Sequence, residues 1–202
     1  LRYSTEKGIY PAALEQLART VRLIRQNAGE WHVRKDAIVL AGFSAGGHLA
    51  AEYACKWDRP ALSAAAEAER EELRPNALVL GYPVITAGAA AHEESIHNLL
   101  GAQDTPKMRR SVSLETQVSG CVPPVFLWHT ATDEMVNAEN SLLFASALAR
   151  EKIPYELHIY GSGVHGVSLG TRATVGEEKH VSHGCAGWFA QAARFLERVL
   201  HE

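Results

Sequence analysis

Apolar positions along this chain follow two alternating rhythms. Leu14, Leu17, Val21 and Ile24 recur at three- and four-residue spacing, with Glu15, Arg19, Arg22 and Arg25 between them. This is the stripe of an amphipathic helix with a wet side. Pro11 suits its first position, where a fixed φ is already helical, and Asn27-Ala28-Gly29 ends it. The rhythm then breaks. Residues 36–42 are a continuous apolar run, which predicts a strand buried on both faces and therefore a parallel sheet.

The alternation repeats. Gly47 to Ala54 reads as a helix running to about Trp57, and Asp58-Arg59-Pro60 breaks it. Residues 61–73 carry Ala, Glu and Arg without a clear stripe and read as a solvated helix or connection. Residues 77–82, 125–129 and 153–160 read as strands. Residues 140–150 read as a helix with Leu142, Leu143, Ala147 and Leu148 inward. Trp188, Phe189, Ala192, Phe195, Leu196 and Val199 define a closing helix. Residues 86–119 lack strong periodicity, although Ile96, Leu99 and Leu100 suit a short helix. A stretch of that length is expected to be a lid or substrate wall. Strand and helix in alternation predict an α/β fold, with a mainly parallel sheet flanked by helices in one domain over 1–202.

Composition narrows the function. At 202 residues, 47% hydrophobic and with a net charge of -3, the chain is an ordinary globular domain. That charge gives no reason to expect nucleic acid or an anionic membrane as partner. No apolar run approaches the ~20 residues that span a bilayer. Cys55, Cys121 and Cys185 are scattered without CxxC spacing and read as reduced thiols, which suggests a cytoplasmic protein. The opening Leu1-Arg2-Tyr3-Ser4 reads as the tail of a strand. An N-terminal truncation is therefore expected, and the sheet edge it exposes would invite pairing into a homo-oligomer.

The chemistry gathers at strand ends. Gly42-Phe43-Ser44-Ala45-Gly46 sits between an apolar strand and a helix, the sequence form of a nucleophile elbow. A Cβ at Gly42 or Gly46 is expected to press on the neighbouring strand or helix. Asp133 lies just beyond the strand ending at His129, and His165 just beyond the strand ending at Tyr160. Reactive groups collect at the carboxyl ends of such strands. A serine hydroxyl needs a base within hydrogen-bond reach, and His165 supplies one. Asp133 would fix the imidazole tautomer. The backbone N–H of Ala45 is the natural first oxyanion donor. Tyr82 and Pro83, at a strand end, are candidates to line the substrate pocket.

Gly42 to Ala50, Tyr10-Pro11-Ala12-Ala13, Pro123-Pro124 with Phe126 to Glu134, and Gly163-Val164-His165-Gly166 together resemble the α/β-hydrolase esterases related to acetyl-xylan and carbohydrate esterases. The resemblance runs through nearly the whole chain. It implies a serine esterase for short acyl esters, acetyl esters of sugars among them, working without a cofactor on a small-molecule ester. Ser44, Asp133 and His165 carry over as the triad. Two departures stand out. The family's upstream His-Gly-Gly segment, another oxyanion donor, is not in this sequence, and Asn137 stands where relatives often carry proline. Peptidase or lactonase chemistry on the same fold, and a non-catalytic binding remnant, are the alternatives.

Other residues have plainer readings. His180, His183 and Cys185 form H-x2-H-x-C, half of a zinc pattern, but no second cluster matches and no metal is expected. His48 is expected to pack or bond locally. His129 is expected near the site without acting in it, and His158 to pack or face water. Glu134 and Asp104 are rivals to Asp133. Trp128, Trp188 and Phe189 read as core. Arg109-Arg110 reads as a solvated face that, in a lid, would meet an acidic substrate.

Overall fold

Four strands, β1 (Val39–Phe43), β2 (Ala77–Gly81), β3 (Val125–Thr130) and β4 (Tyr155–Tyr160), lie side by side in chain order, every pair parallel. The computed structural model describes residues 1–8, 10–174 and 184–201. Each crossover carries helix: α2 (Ala45–Lys56) and α3 (Pro60–Ala66) after β1, α4 (Glu93–Leu100) and α5 (Pro106–Val112) after β2, and α6 (Glu139–Arg150) after β3. Helix α1 (Ala12–Gln26) precedes the sheet and α7 (Trp188–His201) closes the described chain. Among the described residues, no helix is long and apolar enough to cross a membrane.

Two layers of helix sandwich the sheet. On one face, Leu14, Leu17 and Val21 of α1 meet Ala51 and Tyr53 of α2, Leu78 and Leu80 of β2, and Phe144 and Leu148 of α6. On the other, Trp188, Ala192 and Phe195 of α7 pack on Val79, Phe126 and Trp128. Strands β2 and β3 are buried along their whole length because both layers cover them. Each large side chain so buried contributes ~1.5–3 kcal/mol relative to exposure. A smaller cluster of Val84, Ile96, Leu100, Val112 and Val136 seats α4 and α5 against the strand ends.

The structure departs from the sequence pattern in instructive places. β1 is an edge strand: Leu40 and Gly42 are buried but Ala41 and Phe43 are exposed, since α7 sits over β2 and β3. Residues 61–73 are not one solvated helix. Leu62 and Ala66 of α3 are buried, and a 3-10 turn (Arg70–Leu73) buries Leu73. Residues 86–119 are more ordered than their periodicity suggests, and Arg109 binds Glu93 and Asp104 rather than facing outward for a substrate. Leu142 is 50% exposed and Phe189 63%, so neither is core.

Candidate active site

The turn from β1 into α2 sets Ser44 at φ 53° and ψ −123°, a conformation that costs a side-chain-bearing residue ~1–3 kcal/mol. Neighbouring backbone holds it there. The Ser44 N–H donates to the Gly81 carbonyl at 3.1 Å, and its own carbonyl accepts from His48 and Val84 at 3.1 and 3.2 Å. Close approach explains two of the glycines. A Cβ on Gly42 would lie 2.3 Å from the Gly46 carbonyl oxygen, and one on Gly47 2.8 Å from Pro83. Gly46 is the correction: a Cβ there meets only the Tyr3 hydroxyl, at 3.6 Å, so Gly47 bears the constraint expected of it.

The structure brings Ser44, His165 and Asp133 together from three strand ends. Ser44 Oγ lies 2.8 Å from His165 Nε2, and His165 Nδ1 lies 2.8 Å from Asp133 Oδ2. With Asp133 ionised, Nδ1 carries the hydrogen and donates it, which leaves Nε2 free to accept the Ser44 O–H. The Asp133 side chain has no solvent contact. Burial by itself would raise its carboxyl, but hydrogen bonds from His129, His165 and the Val136 N–H outweigh that. They hold it well below the usual carboxylate range. Ala45 opens α2, so its N–H has no acceptor within the helix and lies at the positive end of the helix dipole.

Several residues that the sequence did not single out hold His165 in place. Thr130 and Thr132 hydroxyls both donate to the Gly163 carbonyl, at 2.9 and 3.1 Å, and the Gly163 N–H returns a bond to Thr132 Oγ1. The Trp188 indole N–H donates to the Ser168 carbonyl at 2.8 Å. Gly166 turns the loop at φ 73°. The only sequence signal for this clamp is the Thr-x-Thr-Asp spacing before the carboxylate. Glu134 is exposed, and Asp104 is paired with Arg109 on the lid-like segment, so neither competes with Asp133.

Tyr82 and Pro83, expected to line a pocket, are buried just beyond the end of β2, and neither lines the cavity beside Ala45. The Tyr82 ring stands edge-on to His165 with centroids 5.0 Å apart and packs on Trp128. A cavity of about 250 Å³ instead begins at Ala45 and runs between Leu49, Val84, Ile96 and Leu99 towards Tyr10. His48 packs locally, its Nδ1 3.2 Å from the Val84 carbonyl. His158 pairs with Glu156 and lies against Phe126. His180 and His183 lie outside the described residues. Among those described, no group of three or more His, Cys, Asp or Glu side chains is placed to hold a metal ion.

Comparison with known proteins gives this geometry a setting. The family described as BD-FAE matches residues 1–148. The chain is 38% identical over 161 residues to endo-1,4-beta-xylanase B of Butyrivibrio fibrisolvens, covering 80% of this chain and 25% of that protein. It is 31% identical over 155 residues to an acetylxylan esterase of Xylanibacter ruminicola, covering 74% of this chain and 30% of that one. The chain thus spans a quarter to a third of the length of these relatives. Among solved structures, the carboxylesterase Cest-2923 of Lactobacillus plantarum superposes with a TM-score of 0.82 at 32% identity, covering 96% of this chain and 70% of that one. The fold is that of the α/β hydrolases.

Proposed function

The chain belongs to the BD-FAE family, and from that premise we propose that it is a serine carboxylesterase cleaving short acyl esters, acetyl esters of sugars among them, through an acyl-enzyme. The observation that carries the reading is the unbroken relay from Ser44 Oγ through His165 to Asp133, two contacts of 2.8 Å each. The names of the relatives, an acetylxylan esterase and a carboxylesterase, support ester hydrolysis on this fold and the acetylated-sugar substrate class.

The relay implies the steps. His165 Nε2 takes the Ser44 proton as Oγ attacks the acyl carbon. Charge developing on the carbonyl oxygen is met by the Ala45 N–H, a type of donor typically worth ~3 kcal/mol of barrier. The imidazolium then gives its proton to the departing alcohol as the acyl C–O bond breaks. Water, deprotonated by the same nitrogen, attacks the acyl-enzyme, and the carboxylic acid leaves with Ser44 regenerated. Asp133 stays ionised throughout and stabilises the imidazolium.

A fluorophosphonate probe tests the reading directly. Labelling mapped to Ser44, lost in Ser44→Ala and accompanied by hydrolysis of p-nitrophenyl acetate, is the expected result. Wild-type turnover by Ser44→Ala would remove the serine mechanism. Folded protein that resists the probe would favour a non-catalytic binding role.

A further inference from the structure

Behind the triad carboxylate lies a second imidazole. His129, near the end of β3, is completely buried. Its Nε2 faces two acceptors, the Val136 carbonyl at 2.9 Å and Asp133 Oδ2 at 3.3 Å. Its Nδ1 lies 2.8 Å from Ser141 Oγ. A nitrogen facing two acceptors must carry the hydrogen, so His129 is the Nε2–H tautomer and Nδ1 accepts from the Ser141 hydroxyl. The chain builds this locally, because the turn after Thr130 folds Asp133 back beside the residue four positions earlier.

Asp133 therefore has three direct hydrogen bonds and, at 3.3 Å, a fourth, longer approach from the His129 N–H that also bonds the Val136 carbonyl. Oδ1 accepts the N–H groups of Met135 and Val136 at 3.0 and 2.9 Å. Oδ2 is shared by His165 at 2.8 Å and His129 at 3.3 Å. We propose that His129 is a positioning residue for the triad: its Nε2–H pins Asp133 Oδ2 and limits how much of the carboxylate charge reaches His165. A buried carboxylate with one donor missing both turns more freely and presents a less neutralised charge to its remaining partner. Beside Asp133, the titratable groups facing His165 among the described residues are the Tyr82 ring and, through the carboxylate, His129 itself. The proposal builds on the triad reading, but its decisive readouts need no turnover.

The first readout uses the unaltered chain. Nitrogen-15 NMR should show hydrogen on His129 Nε2 and none on Nδ1. The opposite tautomer overturns the proposal. The second compares His129→Leu with His129→Gln. In His129→Leu the NMR titration midpoint of His165 should move to higher pH. The kcat for p-nitrophenyl acetate should fall about 10- to 100-fold, the scale of one hydrogen bond to a charged group, with KM little changed. His129→Gln, which can place an amide N–H near the same oxygen, should recover most of both effects. A folded His129→Leu with the His165 midpoint unmoved or lowered, or a loss that His129→Gln does not recover, would show a merely structural role. Should His129→Leu not fold, the tautomer measurement decides. Failure of the esterase reading itself would appear as absent turnover with these NMR results intact.

Discussion

A carboxylate without solvent contact keeps its charge at Asp133 because two imidazoles and two backbone N–H groups point at it. Its folded-state pKa lies below the unfolded value of ~3.9, so the stability it contributes is fully present above about pH 4. That stability is lost as pH falls through the lower folded value. Asp133→Asn removes the pH-dependent term and the control of the His165 tautomer together. The expected result is a kcat lower by about four orders of magnitude, as when a triad carboxylate becomes an amide. Urea unfolding of the variant at pH 3 to 5 should show a shallower loss of stability with acid. A variant as active as the parent would mean that another group orients His165. The convergence of Ser44, Asp133 and His165 was legible in the sequence because each lies just beyond a strand. The packing of the Tyr82 ring against His165, at a positive φ of 36°, leaves no mark in the sequence pattern.

At the scale of the element, α2 shows where reading polarity as wetness fails. Glu52 and Lys56 would sit on the solvated side of an ordinary surface helix. Here every residue from Gly47 to Lys56 is buried, since the sheet, α1 and the segment around Ser111 enclose the helix. Lys56 Nζ lies 2.5 Å from Glu52 Oε1 and also donates to the Ser111 carbonyl at 2.9 Å and the Tyr10 hydroxyl at 3.3 Å. It thus ties α2 to α5 and to Tyr10 on the cavity wall. A buried pair adds little over apolar packing but is costly to break by half. Lys56→Met should destabilise the chain by ~3–5 kcal/mol, because buried Glu52 is left without its ammonium partner. Glu52→Leu with Lys56→Met should recover most of that loss, as read from urea midpoints. A double variant no better than the single one would assign the cost to the Ser111 and Tyr10 contacts instead. Arg22 and Arg25 of α1 teach the same lesson. Both were expected on a wet face, and both donate to carbonyls across to α3 and the turn beyond it.

For the molecule as a whole, periodicity in the sequence reported the layers faithfully and the edges poorly. Alternating apolar runs and amphipathic stretches sufficed for a parallel sheet between helices, because each strand's hydrophobicity reflects how many layers cover it. It does not reflect where in the sheet the strand lies. The run at 36–42 looked as buried as 77–82, yet among the described residues β1 has a neighbour on one side only. The Ile38 carbonyl and the Ser44 N–H both bond towards β2, so the ladder's alternation turns the N–H groups of Val39, Ala41 and Phe43 away from it. Amide exchange should resolve this in the 202-residue chain. Val79, Leu80, Phe126 and Leu127, inside the doubly covered strands, should exchange only by global opening. Val39, Ala41 and Phe43 should exchange orders of magnitude faster, while Leu40 and Gly42, bonded to β2, should be intermediate. Because Ser44 continues this strand, the proposed nucleophile is mounted on an edge of the sheet and depends on α2 and the Gly81 carbonyl for its rigidity. Protection at Ala41 equal to that at Leu80 would mean that another strand lies along β1 in solution, and sedimentation of the same sample would then tell a second copy from a segment of the chain itself.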